Sequence, residues 1–395
     1  MSFNDRPVYF FYRVIFWYRI PVLEKLNERL DGRLVVCSGN PPGASSLGNL
    51  VRESDPAYKQ VYLWNHWLFG EKVHAQPFRR VFNLYGPPAA ILAEESPRSV
   101  TLPFLLRYAK SVGAGRVLWG HFSSNYRVFN PRRHILDRYR LALAKEVEGC
   151  VCYTEGRANL LRPFVPDRNI FVARNTMDLR PMFAQRTTLA TEGKQAVRRR
   201  LSISPHSPVL VYIGRLIRGK GTDMLLETWE ILTKDTPGTL LIIGDGPERA
   251  TMEKTVAARS LQGVRFLGSL LLEEAAPWLY ASDVMLMPGY LGLAVNHAFA
   301  FGVPVVSLHH PESAGGVKFH SPEVEYVRSG KTGLLCSGHT SEALAASVRE
   351  VLADQDRYSS NALAYARKHL TIDRMVDGLE AAVRHAEEIS AVNRV

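Results

Sequence analysis

Cysteine is scarce in this 395-residue chain, and its four copies (Cys37, Cys150, Cys152, Cys336) lack the paired spacing of a metal or disulfide framework. A reducing cytoplasm is therefore the expected location, with the inner face of the membrane as an extension of it. No stretch approaches the ~18 consecutive apolar residues that a membrane span needs. The first residues do not show the basic segment, apolar run and small-residue cleavage site of a secretory leader. Neither half has a G-x-G-x-x-G turn after its first strand, and G-x-x-x-x-G-K-[ST] is absent, which argues against nicotinamide, flavin and P-loop chemistry. No D-x-D carboxylate pair stands in a loop where it would hold a cation, so neither a metal nor a cofactor is expected. Acidic residues are short in one half only. Residues 1–190 carry 27 Lys+Arg against 15 Asp+Glu, whereas residues 191–395 carry 22 against 23. That surplus suits an anionic partner, such as lipid head groups or a phosphorylated acceptor. RNP, zinc and helix-turn-helix patterns are missing, so nucleic acid is not expected.

What is present is enough apolar material, 46% of the residues, for two full cores. In the second half, short apolar runs alternate with helical stretches: "PVLVYIGRL", "GTLLIIGDG", "VRFLGSL", "DVMLMPG" and "VPVVSL" read as buried strands. Such alternation implies right-handed crossovers and a parallel sheet covered on both faces, a doubly wound α/β domain. The first half repeats the rhythm less cleanly, with "RPVYFFY", "GRLVVCSG", "RVFNLYG", "RVLWGHF", "GCVCYT" and "NIFVARN" as strands. The expected division is 1–190, 191–370 and a C-terminal helix over 371–395 that crosses back onto the first domain. Residues 176–195 read as a polar linker.

Ligands of open parallel sheets bind beyond the carboxyl ends of the strands. Three loops there suit an anion. "GRLIRGKG" follows a strand and offers Arg215 and Lys220 among Gly214, Gly219 and Gly221, a guanidinium fork and a point charge that can converge on a diphosphate. "GDGPE" follows the next strand. "GYLGLAVNH" opens a helix at Gly292 and Leu293, where free N–H groups and the dipole attract phosphate.

The ordered set "VYIGRLIRGKG", "LLIIGDGPE", "FLGSL", "ASDVMLMP", "GLAVNHAFAFGVPVV" and "SGKTGLL" resembles the nucleotide-sugar half of retaining family 4 glycosyltransferases (glycosyl transferases group 1). The likeness is strong over residues 205–370 and looser in the first half. It implies a GT-B fold, two Rossmann-like domains facing a central cleft. It also implies transfer of a sugar from a nucleotide diphosphate sugar, with retention and without metal, to a glycan or lipid-linked acceptor of surface polysaccharide assembly. By the same resemblance Arg215 and Lys220 bind the donor diphosphate, and Gly292 and Leu293 offer it backbone N–H groups. The turn from Gly244 through Gly246 to Pro247 lines the base pocket, and His121, ending "RVLWGH", reaches the donor sugar.

The chain departs from that pattern at one place. The family's Glu-x7-Glu positions fall on Gly289 and His297. An imidazole can still hydrogen-bond a ribose hydroxyl through one nitrogen, although it lacks a carboxylate's two-oxygen grip. His297 reads either as that contact or as a core residue, and Glu323 or Glu325 as a substitute for the missing sugar contact. The start "YFFYRVIFWYRIPVLEKL" reads either as core strand or as an aromatic-basic surface for anionic lipid. The rival function is a GT-B scaffold that binds nucleotide but has lost catalysis.

Overall fold

The computed structural model describes residues 5–41, 55–234, 236–309 and 320–392. Most of the loop "SGNPPGASSLGN" and of the segment "HHPESAGG" lies outside them. The chain divides into two compact units, residues 1–124, 128–178 and 372–395 in the first and 125–127 and 179–371 in the second.

The first unit is built on β1 (Val8–Phe11), β2 (Leu34–Ser38), β3 (Lys59–Tyr62), β6 (Ala90–Glu94), β7 (Gly115–Gly120), β8 (Gly149–Cys152) and β9 (Ile170–Val172), with a separate hairpin of β4 (His66–Leu68) and β5 (Val73–Ala75). The seven strands run parallel in the order β3-β2-β1-β6-β7-β8-β9. Helices α1 (Ile20–Arg29), α2 (Arg79–Tyr85), α3 (Leu102–Ser111), α4 (Ile135–Lys145) and α5 (Glu155–Leu161) connect them. Period-2 alternation divides β1 between two cores: Tyr9 and Phe11 pack on the α2–α5 side, Val8 and Phe10 on the α1 side. Each such side chain contributes roughly 1.5–3 kcal/mol by leaving water. The N-terminal aromatics are therefore mostly core. Phe10, Phe11 and Phe16 are buried, as is Arg19, which bonds Asn175 and the Thr176 carbonyl. Core packing thus takes most of that run, while Trp17 stays 38% exposed. "RVFNLYG" is also not a strand: it forms helix α2, whose Phe82 stacks on Tyr108 and whose last turn closes at Gly86.

The second unit contains β10 (Val209–Ile213), β11 (Thr239–Ile243), β12 (Val264–Gly268), β13 (Val284–Met287), β14 (Val305–Leu308) and β15 (Gly333–Cys336). All pairs are parallel, in the order β12-β11-β10-β13-β14-β15. Its helices are α6 (Arg180–Glu192), α7 (Lys194–Arg200), α8 (Thr222–Thr233), α9 (Arg249–Ala258), α10 (Leu272–Ala281), α11 (Ala294–Phe301), α12 (Ser341–Ala353) and α13 (Gln355–His369). Residues 176–195 thus hold a 13-residue helix, α6, where an open linker was expected.

The last helix, α14 (Ile372–Val392), belongs to the first unit. Its apolar face, Met375, Val376, Leu379, Ala382, Val383 and Ala386, closes the core that holds Phe10. Gly115 permits this approach, since a Cβ there would lie 2.7 Å from the Ala386 backbone. An ion pair between Arg33 and Glu387 at 2.7 Å pins the far end.

Candidate functional site

Sheet order puts the topological switch point of the second unit between β10 and β13, because the chain leaves β10 in one direction and resumes on its other side at β13. Crevices at such points, beyond the carboxyl ends, are where open sheets bind ligands. The two loops that meet there are 214–221, after β10, and 288–293, after β13.

These loops are joined through their backbones. Gly289 N–H donates to the Lys220 carbonyl at 3.0 Å. Lys220 Nζ donates to the Tyr290 carbonyl at 2.7 Å and lies 3.8 Å from the centre of the Tyr290 ring. Two glycines make this approach possible. A Cβ on Gly289 would lie 2.3 Å from Lys220 Cα, and one on Gly221, itself at φ +68°, would lie 2.9 Å from Gly289 N. The family's first carboxylate therefore has no room at 289 in this loop. Arg215 differs from Lys220: it is exposed, and its guanidinium makes no hydrogen bond or ion pair with the described residues.

On the other side of loop 214–221 runs the "GDGP" turn. Leu216 N–H donates to the Asp245 carbonyl and Glu248 N–H to the Leu216 carbonyl, at 2.9 and 3.1 Å. A Cβ on Gly244 would meet the Gly214 carbonyl oxygen at 2.0 Å. Pro247 is exposed at the end of the turn. Gly214, Arg215, Lys220, Gly244, Gly246 and Pro247 are thus brought onto one edge of one sheet.

At the start of α11, Gly292 faces open space, with nothing within 4 Å of a Cβ placed there. No described residue takes the N–H of Gly292 or Leu293. A brace that sequence reading missed sets the entry to this helix: Leu291 N–H donates to His320 Nδ1 at 2.8 Å, and His320 Nε2 donates to the Leu308 carbonyl at 2.6 Å. With Nδ1 accepting, the ring is held as the neutral Nε2–H tautomer. Glu323, in the single turn Pro322–Tyr326, is buried next to this brace, and Ser321 N–H donates to the Leu291 carbonyl at 3.4 Å. Glu325 is exposed.

His297 occupies the first full turn of α11. Burial pushes its pKa down to about 4, so the ring is neutral through the physiological range. Part of the side chain remains open to solvent, and no described residue hydrogen-bonds either nitrogen. A core histidine with its polar atoms satisfied does not look like this.

His121 lies in the other unit, at the carboxyl end of β7. Its Nδ1 is buried without a partner, and its ring packs edge-on to Tyr153 at 4.9 Å. Burial first, then the charges of Arg157, Arg140, Arg13 and Arg19, hold its pKa down at about 3. Among the described residues no group of three or more His, Cys, Asp or Glu side chains is arranged to hold a metal ion.

Comparison with known proteins finds these loops similar to those of a known family. The profile described as Glycosyl transferases group 1 matches residues 207–354, which include every second-unit residue of the candidate site. The D-inositol 3-phosphate glycosyltransferase of Geodermatophilus obscurus is 29% identical over 218 residues, 51% of this chain and 46% of that protein. The GDP-mannose-dependent monoacylated alpha-(1-6)-phosphatidylinositol monomannoside mannosyltransferase of Corynebacterium glutamicum is 30% identical over 198 residues, 47% of this chain and 49% of that protein. The chain thus spans about half the length of the curated relatives it matches. Solved structures match over nearly the whole chain, at identities that speak for the fold alone. Anabaena HepE in complex with UDP superposes with a TM-score of 0.67 at 16% identity, covering 98% of this chain and 100% of that one. Sucrose-phosphate synthase from Thermosynechococcus elongatus gives 0.65 at 18% identity, covering 98% and 100%. The chain thus has the GT-B fold, two parallel-sheet α/β units, and the part of its second unit over residues 207–354 is similar to the group 1 glycosyl transferases.

Proposed function

We propose that this protein is a retaining, metal-independent glycosyltransferase that moves a sugar from a nucleotide diphosphate sugar to a glycan or lipid-linked acceptor in surface polysaccharide assembly. The observation that carries the reading is the convergence, at the β10–β13 switch point, of a half-buried lysine, an unengaged arginine and the open start of α11. Three cationic or N–H sources on one crevice suit a diphosphate. In the reaction the bond from the anomeric carbon to the diphosphate breaks and a bond to the acceptor oxygen forms on the same face. The acceptor proton passes to the departing diphosphate. Arg215, Lys220 and the α11 dipole stabilise that leaving group, the largest contribution assigned to the protein. His297 contacts the ribose and the "GDGP" turn borders the base.

Turnover is expected to persist in excess EDTA, with the anomeric configuration of the product, read by NMR, matching that of the donor. Activity that stops in EDTA and returns only with Mg²⁺ or Mn²⁺ overturns the charge assignment, and an inverted product overturns retention.

His297 gives a second test. His297→Ala should weaken nucleotide diphosphate binding by ~0.5–1.5 kcal/mol, the net worth of one hydrogen bond, with little change in ligand-free melting. His297→Glu should keep or improve affinity for a ribonucleotide. Sharp apo destabilisation in both, with affinity per folded molecule unchanged, returns His297 to the core.

Gly289 favours one alternative, a nucleotide-binding protein without transfer, because the carboxylate usual there is excluded. Tight nucleotide binding without hydrolysis or transfer of any donor would select it.

A further inference from the structure

The first unit carries an insertion that a doubly wound sheet does not need. Between β3 and α2 the chain forms the β4–β5 hairpin, whose base is fixed and whose tip is bare. At the base, Asn65 donates to the carbonyls of Arg13 and Asn40 at 2.7 and 2.6 Å. His74 N–H donates to the Arg98 carbonyl, and Val100 N–H to the His74 carbonyl, both at 2.9 Å. Gln76 N–H donates to Thr101 Oγ1 at 2.8 Å. Asn65, His74 and Gln76 are buried.

At the tip the order is reversed. Phe69 is 80% exposed and Leu68 44%. Phe69, Gly70 and Glu71 all have left-handed backbone, at φ 52°, 63° and 65°. A phenylalanine there is uncommon and costs on the order of 1 kcal/mol, so its outward position is held against strain. Beside the base, Val100 and Phe104 (60% exposed) line a hollow of about 420 Å³ together with Phe78, Arg79 and Arg80.

Charge around this apolar rim is mainly positive, with Glu71 at the tip the exposed exception. Lys72, Arg79, Arg80, Arg98 and Arg107 are exposed. The acidic residues between 59 and 110 are Glu71, Glu94 and Glu95, and the last two turn inward onto Arg13 at 3.4 Å and Arg140 at 3.2 Å. A protruding aromatic with an aliphatic neighbour, in a stretch whose exposed charges are mainly cationic, has the composition of a segment that sits at an anionic lipid interface.

We infer that the β4–β5 hairpin is a membrane finger: Phe69 and Leu68 enter the head-group region of an anionic bilayer while Lys72, Arg79 and Arg80 engage lipid phosphates. This deepens the reading of a lipid-linked acceptor and rests on it for its purpose. The test below needs neither donor nor acceptor. The full chain is floated with vesicles of equal phosphatidylcholine and phosphatidylglycerol, and with phosphatidylcholine alone. Wild type should bind the anionic vesicles, and should leave them in 1 M salt, where screening shortens the reach of charge to ~3 Å. Leu68→Ser with Phe69→Ser should lower the bound fraction by about tenfold, as expected for losing two inserted apolar side chains. Phe69→Trp should retain binding, and Arg79→Glu with Arg80→Glu should abolish it. Melting temperature and nucleotide diphosphate affinity should stay at wild type in all of these. If wild type fails to float, the membrane reading itself falls. If wild type floats and the serine pair floats equally well, the hairpin assignment is wrong while the membrane reading stands. Equal binding to neutral vesicles overturns the charge role. Loss of a dimer in the serine pair, seen by light scattering, makes the tip a contact between copies instead.

Discussion

Gly289→Glu, which restores the carboxylate usual in the family, should destabilise the protein and reduce nucleotide binding. The cause is a backbone contact between loops that are distant in sequence. A Cβ at 289 would lie 2.3 Å from both the carbonyl carbon and Cα of Lys220, so no rotamer relieves it. The loop has little room to retreat. Gly289 N–H is bonded to the Lys220 carbonyl at 3.0 Å, and Pro288 Cβ lies 2.9 Å from where a Cβ on Gly221 would be. Ordinary overpacking of a core costs ~1–3 kcal/mol, and a backbone clash that breaks a loop–loop hydrogen bond falls at the upper end or beyond. Gly289→Ala should show most of the loss, since the first carbon is the one that collides. Gly292→Ala is the control, with nothing within 4 Å of its Cβ. Apo melting and titration with a nucleotide diphosphate on these three variants decide the matter. A Gly289→Glu protein that melts like wild type and binds more tightly would falsify the packing account.

Much of the second unit was legible because its strands are covered on both faces and so read as unbroken apolar runs. "LVYIG", "LLIIG" and "VMLMP" could be little else, and their loops carry the motifs in order. The first unit hid more. Helix α2, "RRVFNLY", is seven residues long, too short for a 3.6 period to show against its β-forming Val, Phe and Tyr. Strand β6, "AILAE", has the composition of a helix and is a strand because β1 and β7 flank it. The hairpin strands are three residues each, below the length at which alternation registers. The aromatic start left core and surface open, and only the two-sided burial of β1 decided for core. At the candidate site, Arg215, Lys220 and the opening of α11 could be read from residue type and position. The reason for a glycine at 289 could not, since the atoms it avoids belong to Lys220 on another loop. His320 was equally invisible, because a brace is defined by what its two nitrogens reach.

The largest effect on ligand affinity should come from Lys220→Ala, at least tenfold weaker nucleotide diphosphate binding, because a charge-assisted contact is worth ~1.5–3 kcal/mol. Lys220 is already oriented without ligand: one donor is taken by the Tyr290 carbonyl at 2.7 Å, and the ammonium sits 3.8 Å over the Tyr290 ring. Both contacts limit the side chain's rotamers, so less ordering is lost on binding. Tyr290→Leu keeps the backbone carbonyl and removes only the ring, a cation–π contact of ~0.5–2 kcal/mol. It should therefore weaken binding less than Lys220→Ala does. Arg215→Ala should also cost at least tenfold in affinity, and here folding gives a clean separation. The guanidinium has no described partner to lose, so ligand-free melting should not move, whereas Lys220→Ala gives up the Tyr290 carbonyl bond and should melt slightly lower. Calorimetric titration at two salt concentrations adds a signature: wild-type affinity should fall with salt more steeply than that of either variant. Unchanged affinity in both alanine variants would mean that the diphosphate binds elsewhere, and that the β10–β13 crevice is held together by Lys220 for the sake of the fold alone.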